Sequence, residues 1–199
     1  MTSLERNLIL VHGLWDDPRI FNRLLGYLEK SNLCVYTPHL PHKGGSIPLQ
    51  KLAFLLEELI NKRFGADKVV DLLGFSMGGL VSRVWLQELG GALRTNSFIS
   101  VGTPHRGTVM AECIPSWWLP GVADMKRGSD LLRDLSRDVH KLQAVKCSSY
   151  FCRWDLMTFP GWQATLPIGA NFSVPVLTHK DLISHPKSLK IISHAIFSQ

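Results

Sequence analysis

Ser76 is the residue whose surroundings in this 199-residue chain best suit chemistry. It sits in Gly74-Phe75-Ser76-Met77-Gly78, between the apolar run Val69-Val70-Asp71-Leu72-Leu73 and an amphipathic stretch opening at Gly79-Leu80-Val81. A G-x-S-x-G turn between a strand and a helix holds a serine on a sharp bend, where its hydroxyl is exposed over a helix N-terminus that favours negative charge. A serine hydroxyl is a weak nucleophile at neutral pH. It needs a base, and the base needs an acid to fix its tautomer.

For a serine on such a turn the chain order is serine, acid, histidine. His12, His39 and His42 precede Ser76, and His105 follows its strand too closely to leave room for an acid loop. His140 and His194 fall within helical patterns. His179, between a short apolar run ending at Leu177 and the last helix, is the expected base. His185, just before Pro186, reads as a helix cap and stands as the alternative. Among the acids, Asp130, Asp134 and Asp138 repeat every four residues among basic residues, as a solvated helix face does. Asp155 follows the apolar run Tyr150-Phe151-Cys152 in a loop closed by Pro160-Gly161 and is the expected acid, with Asp124 in reserve. Asp71 precedes the serine inside its strand and reads as structural.

Negative charge developing on a carbonyl needs two fixed N–H donors. One belongs to the residue after the nucleophile, Met77, and the other to the loop closing the first strand, where His12-Gly13-Leu14 offers the N–H of Leu14. His39 and His42 lie three apart, but no acidic residue or cysteine stands near them, so no metal is expected.

These loops need a frame that gathers them. Leu8-Ile9-Leu10-Val11, Cys34-Val35-Tyr36, the run before Ser76, Phe98-Ile99-Ser100-Val101, residues 146–153 and a last short run at 174–177 read as strands. Helical patterns alternate with them: one capped by Asp17 with Pro18 at its first position, one capped by Ser46, one stopped by Gly90-Gly91, one starting near Ser129, and one opened by Pro186. Such alternation predicts an α/β fold with a mainly parallel sheet and helices on both faces. Ligands then bind beyond the carboxyl ends of the strands, where every loop singled out above emerges. Residues 109–128 carry Trp117, Trp118 and Leu119 without a clear period and read as a short cap within a single domain spanning 1–199.

Composition narrows the classes. Apolar residues make up 45% of the chain, which is enough for a substantial core. The net charge is +6, with thirteen Lys/Arg against eight Asp/Glu after residue 74. No arginine-rich run or basic–aromatic repeat accompanies it, so nucleic acid is not an expected partner, whereas anionic lipid surfaces are compatible. No apolar run reaches the roughly 20 residues that span a bilayer. The N-terminus runs straight into the first strand without a leader pattern, which predicts a cytoplasmic, peripherally membrane-associated protein or a mature chain. Cys34, Cys113, Cys147 and Cys152 lack metal or redox spacing and read as reduced thiols.

Taken together, His12-Gly13, Gly74-Phe75-Ser76-Met77-Gly78-Gly79, Gly102-Thr103-Pro104-His105-Arg106-Gly107-Thr108, the Asp155 loop and Thr178-His179 resemble the small α/β-hydrolase lipases of bacteria, in order and over nearly the whole chain. The resemblance implies a minimal sheet of about six strands and a triad of Ser76, Asp155 and His179. It also implies oxyanion donors at Leu14 and Met77, no cofactor, and acyl glycerolipids or other esters as substrates. The chain departs from larger relatives in having about 35 residues between Gly107-Thr108 and the next strand, too few for a large helical lid. Trp117, Trp118 and Leu119, together with Trp15 beside the oxyanion loop, are then the expected acyl contacts. Thioesterase or acyltransferase chemistry would use the same triad, and a non-catalytic lipid-binding protein could share the fold.

Overall fold

A computed structural model describes residues 6–29 and 31–199; the leaderless reading of the N-terminus concerns residues 1–5, outside that range. Six strands are described: β1 (Arg6–Val11), β2 (Leu33–Tyr36), β3 (Val70–Phe75), β4 (Thr95–Val101), β5 (Lys146–Phe151) and β6 (Ala170–Ser173). The helices are α1 (Asn22–Leu28), α2 (Leu49–Phe64), α3 (Met77–Glu88), α4 (Val109–Glu112), α5 (Pro120–Ala123), α6 (Asp130–Arg137), α7 (Asp181–Ser184) and α8 (Pro186–Phe197). Every strand pair is parallel, and the sheet order is β2-β1-β3-β4-β5-β6. The chain therefore lays β2 on one side of β1 and then crosses back to put β3 on the other. In a parallel sheet that reversal opens a crevice at the carboxyl ends of the two strands, because their following loops diverge to opposite faces.

Alternation along the strands divides the core in two. Ile9, Val11 and Leu72 face one side with Leu52, Leu56 and Ile60 of α2 and Leu80, Val81 and Val84 of α3. Leu8, Leu10, Leu73 and Phe75 face the other with Leu24 and Leu28 of α1 and Leu189, Ile192 and Ile196 of α8. Every residue of β3 is buried, as expected for a strand covered on both faces. Cys147 and Cys152 fall into opposite halves, and burial pushes their thiols up to about 11 and about 12.

Two local expectations are corrected. Ser46 does not cap α2; Pro48 stands at that position, and the Asp124 carboxylate accepts the Leu49 N–H at 2.8 Å. Asp124, the reserve acid, thus acts as a helix cap contributed from another segment. The last strand is Ala170–Ser173 and not 174–177. Pro175 has no N–H to give a ladder, and the Val176 N–H turns back to Val174 O at 2.9 Å. All four β6 residues are exposed, so this edge strand carries no apolar signal.

Candidate active site

The turn after β3 is tight because glycines leave room for it. A Cβ on Gly74 would lie 2.4 Å from Cα of Gly79, and one on Gly78 would lie 2.2 Å from the Val11 carbonyl oxygen. Ser76 between them has φ 54 and ψ −126, a conformation that side chains with a Cβ rarely adopt. Its N–H donates to Val101 O at 2.8 Å, and its carbonyl accepts the Gly79 N–H at 3.1 Å, so strand β4 and helix α3 both anchor the bend. Met77 opens α3, whose leading N–H groups have no intrahelical acceptor. Val11 pairs with Gly74 at the ends of β1 and β3, which brings the His12-Gly13-Leu14 loop alongside.

His12 is buried and stays neutral: burial lowers its pKa, and its Nε2 accepts the Leu40 N–H at 3.0 Å. Its Nδ1–H therefore donates to the Gly13 carbonyl at 3.0 Å, which fixes the loop from below. His39 and His42 pack against it with ring centroids 5.7 and 5.9 Å away.

Asp155 follows β5 and is fully buried. Its Oδ1 accepts the Met157 N–H at 2.9 Å and the Thr158 N–H at 3.3 Å. Its Oδ2 meets His179 Nδ1 at 2.6 Å. A carboxylate only accepts, so Nδ1 of His179 carries the proton and Nε2 presents a lone pair. That Nε2 is buried and has no hydrogen-bond partner among the described residues. The imidazole packs on Phe75 with ring centroids 4.9 Å apart. Gly102, at φ +57, gives it space, since a Cβ there would lie 2.9 Å from His179 Cε1.

Ser76 and His179 line one cleft of about 270 Å³, together with Leu14, Trp15 and Asp16 from the first loop. Its remaining walls are largely apolar: Met110, Ile114, Val122 and Met125 come from residues 109–128, and Met157 from the Asp155 loop. A larger apolar groove of about 1030 Å³ lies between β5, β6 and α8 and contains none of Ser76, Asp155 or His179. Chemistry, not size, marks the smaller cleft as the candidate site.

Ser76, His179, Leu14 and Trp15 are thus brought together, with Asp155 behind His179 and Met77 buried at the helix start. Trp117, Trp118 and Leu119 are not among the lining residues. The 109–128 segment folds into α4 and α5, and the two tryptophans fall in the turn between them, 85% and 63% exposed. Leu119 packs against the core ahead of α5. His185 caps α8 by accepting the Lys187 N–H at 3.2 Å. The Thr103–Thr108 loop works as a fastener. Thr103 approaches Gly74 O, the Thr108 hydroxyl donates to Met157 O, the Thr108 N–H donates to Met125 O, and Arg106 N–H donates to Gln163 O. His105, buried near Arg83 and Arg106, has its pKa pushed well down by desolvation and accepts or donates at Ser100 Oγ, 2.9 Å away.

A family model of alpha/beta hydrolases matches residues 8–181. The chain belongs to the alpha/beta hydrolase family. Solved structures of the same fold include Aspergillus fumigatus lipase B, at TM-score 0.79 and 18% identity, covering 97% of this chain and 52% of that one. The chain therefore spans about half the length of that lipase. Mature Bacillus licheniformis lipase BlEst2 matches at TM-score 0.74 and 17% identity over 100% of this chain and 93% of its own. A lipase-esterase related protein from Clostridium acetobutylicum matches at TM-score 0.67 and 16% identity, covering 98% and 94%. No curated protein matches the chain in sequence. The all-parallel sheet described above is in keeping with that family.

Residues that sequence reasoning missed include Asp16 and Gly102. Asp16 lines the cleft, and burial raises its pKa while His179 and Lys180 oppose that rise. Its place two residues after Leu14, in the loop that closes β1, is a usable signal. Gly102 closes β4, and only its contact with His179 reveals its use.

Proposed function

We propose that this protein is a carboxylic ester hydrolase of the serine type, acting on acyl glycerolipids. The observation that supports it is the buried Asp155–His179 pair, with Nε2 of His179 unpartnered in the cleft that Ser76 lines from its positive-φ turn. In this mechanism Nε2 takes the Ser76 proton as Oγ bonds to the ester carbonyl carbon. The backbone N–H groups of Leu14 and Met77 hold the oxyanion. The C–O bond to the leaving alcohol then breaks, and the imidazolium returns its proton to that oxygen. Water attacks the acyl-enzyme by the same route, releasing the acid and free Ser76. Asp155 stabilises the imidazolium without taking its proton.

Two features favour a lipid substrate. The acyl-side walls are methionine and branched aliphatic side chains, which fill irregular apolar space. The loops at the carboxyl edge also carry exposed apolar side chains: Trp117 and Trp118 on the cap, Trp154, Leu156, Phe159 and Trp162 around Asp155, and Leu177 before His179. An apolar rim of this kind, on a chain of net charge +6, suits contact with an anionic lipid surface. No described helix is long and apolar enough to cross a membrane.

The cleft volume is near the small end for ligand pockets, about 300 Å³. Short and medium acyl chains should therefore turn over faster than long ones in a p-nitrophenyl ester series. Ser76→Ala should abolish both turnover and fluorophosphonate labelling. Full activity in that variant would refute the mechanism.

A further inference from the structure

Beyond the ridge formed by Trp15 and Asp16 lies a second cavity of about 510 Å³, lined also by Asp17, Arg19, Arg23 and Lys180. Trp15 and Asp16 line both cavities, so the two compartments share a wall. Their characters differ. The first is apolar and holds Ser76; the second is edged by charge. Trp15 is held at φ 62, in the left-handed region, and is 64% exposed, so the chain accepts backbone strain to stand this indole between the compartments.

The charges of the second compartment do not cancel. Asp17 is taken up by Arg19, through the Arg19 N–H and guanidinium bonds at 2.8 to 3.0 Å and an ion pair at 2.5 Å, and Arg19 holds the Asp17 carboxyl down at about 2. Among the described residues Arg23 donates only to a backbone carbonyl, that of Ser184, at 3.2 Å. Among the described residues neither Arg23 nor Lys180 has a carboxylate within ion-pair distance. Asp16 is the remaining acid, and its ionised form is disfavoured by burial. Two cations thus face one weakened carboxylate.

Position decides which part of a substrate would lie there. In ester cleavage the acyl chain stays with the serine, and the leaving alcohol takes its proton from the imidazole. The leaving group is therefore on the histidine side, and Lys180 is the residue after His179. We infer that the Arg23–Lys180 compartment binds the leaving portion of the substrate and selects for one that carries a phosphate. This rests on the ester-hydrolase reading and narrows its substrate class to phosphate-bearing acyl esters or thioesters.

The test compares kcat/KM for three octanoyl substrates kept below their aggregation concentrations: 1-octanoylglycerol, 1-octanoylglycerol 3-phosphate and octanoyl-coenzyme A. At about 20 mM salt, where charges act over longer distances, the phosphate-bearing substrates should be favoured over the neutral one by roughly tenfold. The ratio should fall toward one in an Arg23→Gln/Lys180→Gln double variant and at about 0.5 M salt. Glycerol 3-phosphate should inhibit wild-type hydrolysis of 1-octanoylglycerol competitively, and glycerol should not at the same concentration. A preference for the glycerol phosphate alone, for the coenzyme A ester alone, or for both supports the inference and tells which phosphate source fits. Equal kcat/KM for neutral and phosphate-bearing esters in the wild type overturns it, as does a preference that survives the double variant. If the wild type cleaves none of the three and Ser76 takes no fluorophosphonate label, the hydrolase reading fails and the compartment's assignment falls with it.

Discussion

Replacing Gly102 by alanine would put a methyl carbon 2.9 Å from Cε1 of His179 and 2.9 Å from Cδ1 of Leu182. Carbon atoms rest at about 3.5–4.0 Å, so both contacts must open by ~0.6 Å or more. Leu182 is fully buried beneath the site, whereas the imidazole borders the cleft and is the freer of the two. The ring should therefore move, and its Nε2 should move out of line with Ser76. Displacement of a catalytic group by about 1 Å costs roughly 100-fold, so kcat should fall about 10- to 100-fold, with KM changed less than about threefold. The backbone contributes separately: at φ +57 an alanine costs about 1–2 kcal/mol. In a chain of this size that lowers Tm by roughly 2–8 °C. The assay is steady-state hydrolysis of p-nitrophenyl butyrate well below the variant's Tm, with calorimetry alongside. A variant that loses stability but keeps kcat within about twofold of the wild type would show that the imidazole's position does not depend on the absent side chain.

Two other predictions test the surroundings of His179. In Asp155→Asn the amide oxygen can still accept the Met157 and Thr158 N–H groups, but its NH2 would face Nδ1 and move the imidazole proton to Nε2. Loss of the base should lower kcat by about 10³- to 10⁴-fold while Tm changes by only a few degrees, and a loss under tenfold would remove Asp155 from the mechanism. Asp16 has a raised pKa in the folded state because burial disfavours its charge, so the folded protein binds more protons than the unfolded chain and stability falls as pH rises through that pKa. Asp16→Asn should therefore raise Tm at pH 7, and the gain should disappear as pH drops below the ordinary value of 3.8; a gain that persists at acid pH would point to packing as its cause.

Much of the site could be read in the sequence because each part has a local signature. The β3 run and its glycines identify the turn, since close approach of Gly74 to Gly79 tolerates no side chain. Chain order singles out Asp155 and His179, whose side chains the structure pairs, because each follows a strand of a parallel sheet and all such loops emerge at one edge. What escaped depends on contacts between distant segments. Asp124 caps α2 across 75 residues, and no local pattern announces such a partner. The tryptophans of 117–118 look like acyl contacts by composition, yet they lie exposed in the turn between α4 and α5 and do not line the cleft, while Met110 and Met125, with no periodicity to mark them, make the wall. Strand β6 was missed because an exposed edge strand need not be apolar, and its backbone pairing with β5 alone defines it.

The single reversal of strand order between β1 and β3 has a consequence for how such a protein can change. The groups proposed for the reaction sit on segments that follow β1, β3, β5 and β6, and the first three of these strands are held by the two halves of the core from both faces. The side chains proposed to meet the substrate, including Met110, Ile114 and Met157 on one side and Arg23 and Lys180 on the other, belong to segments that add no rung to the ladder of strands. Substitutions there can alter what the cleft admits while the strand register is kept. The architecture separates a fixed engine from an adjustable intake, and selection can work on the second without rebuilding the first.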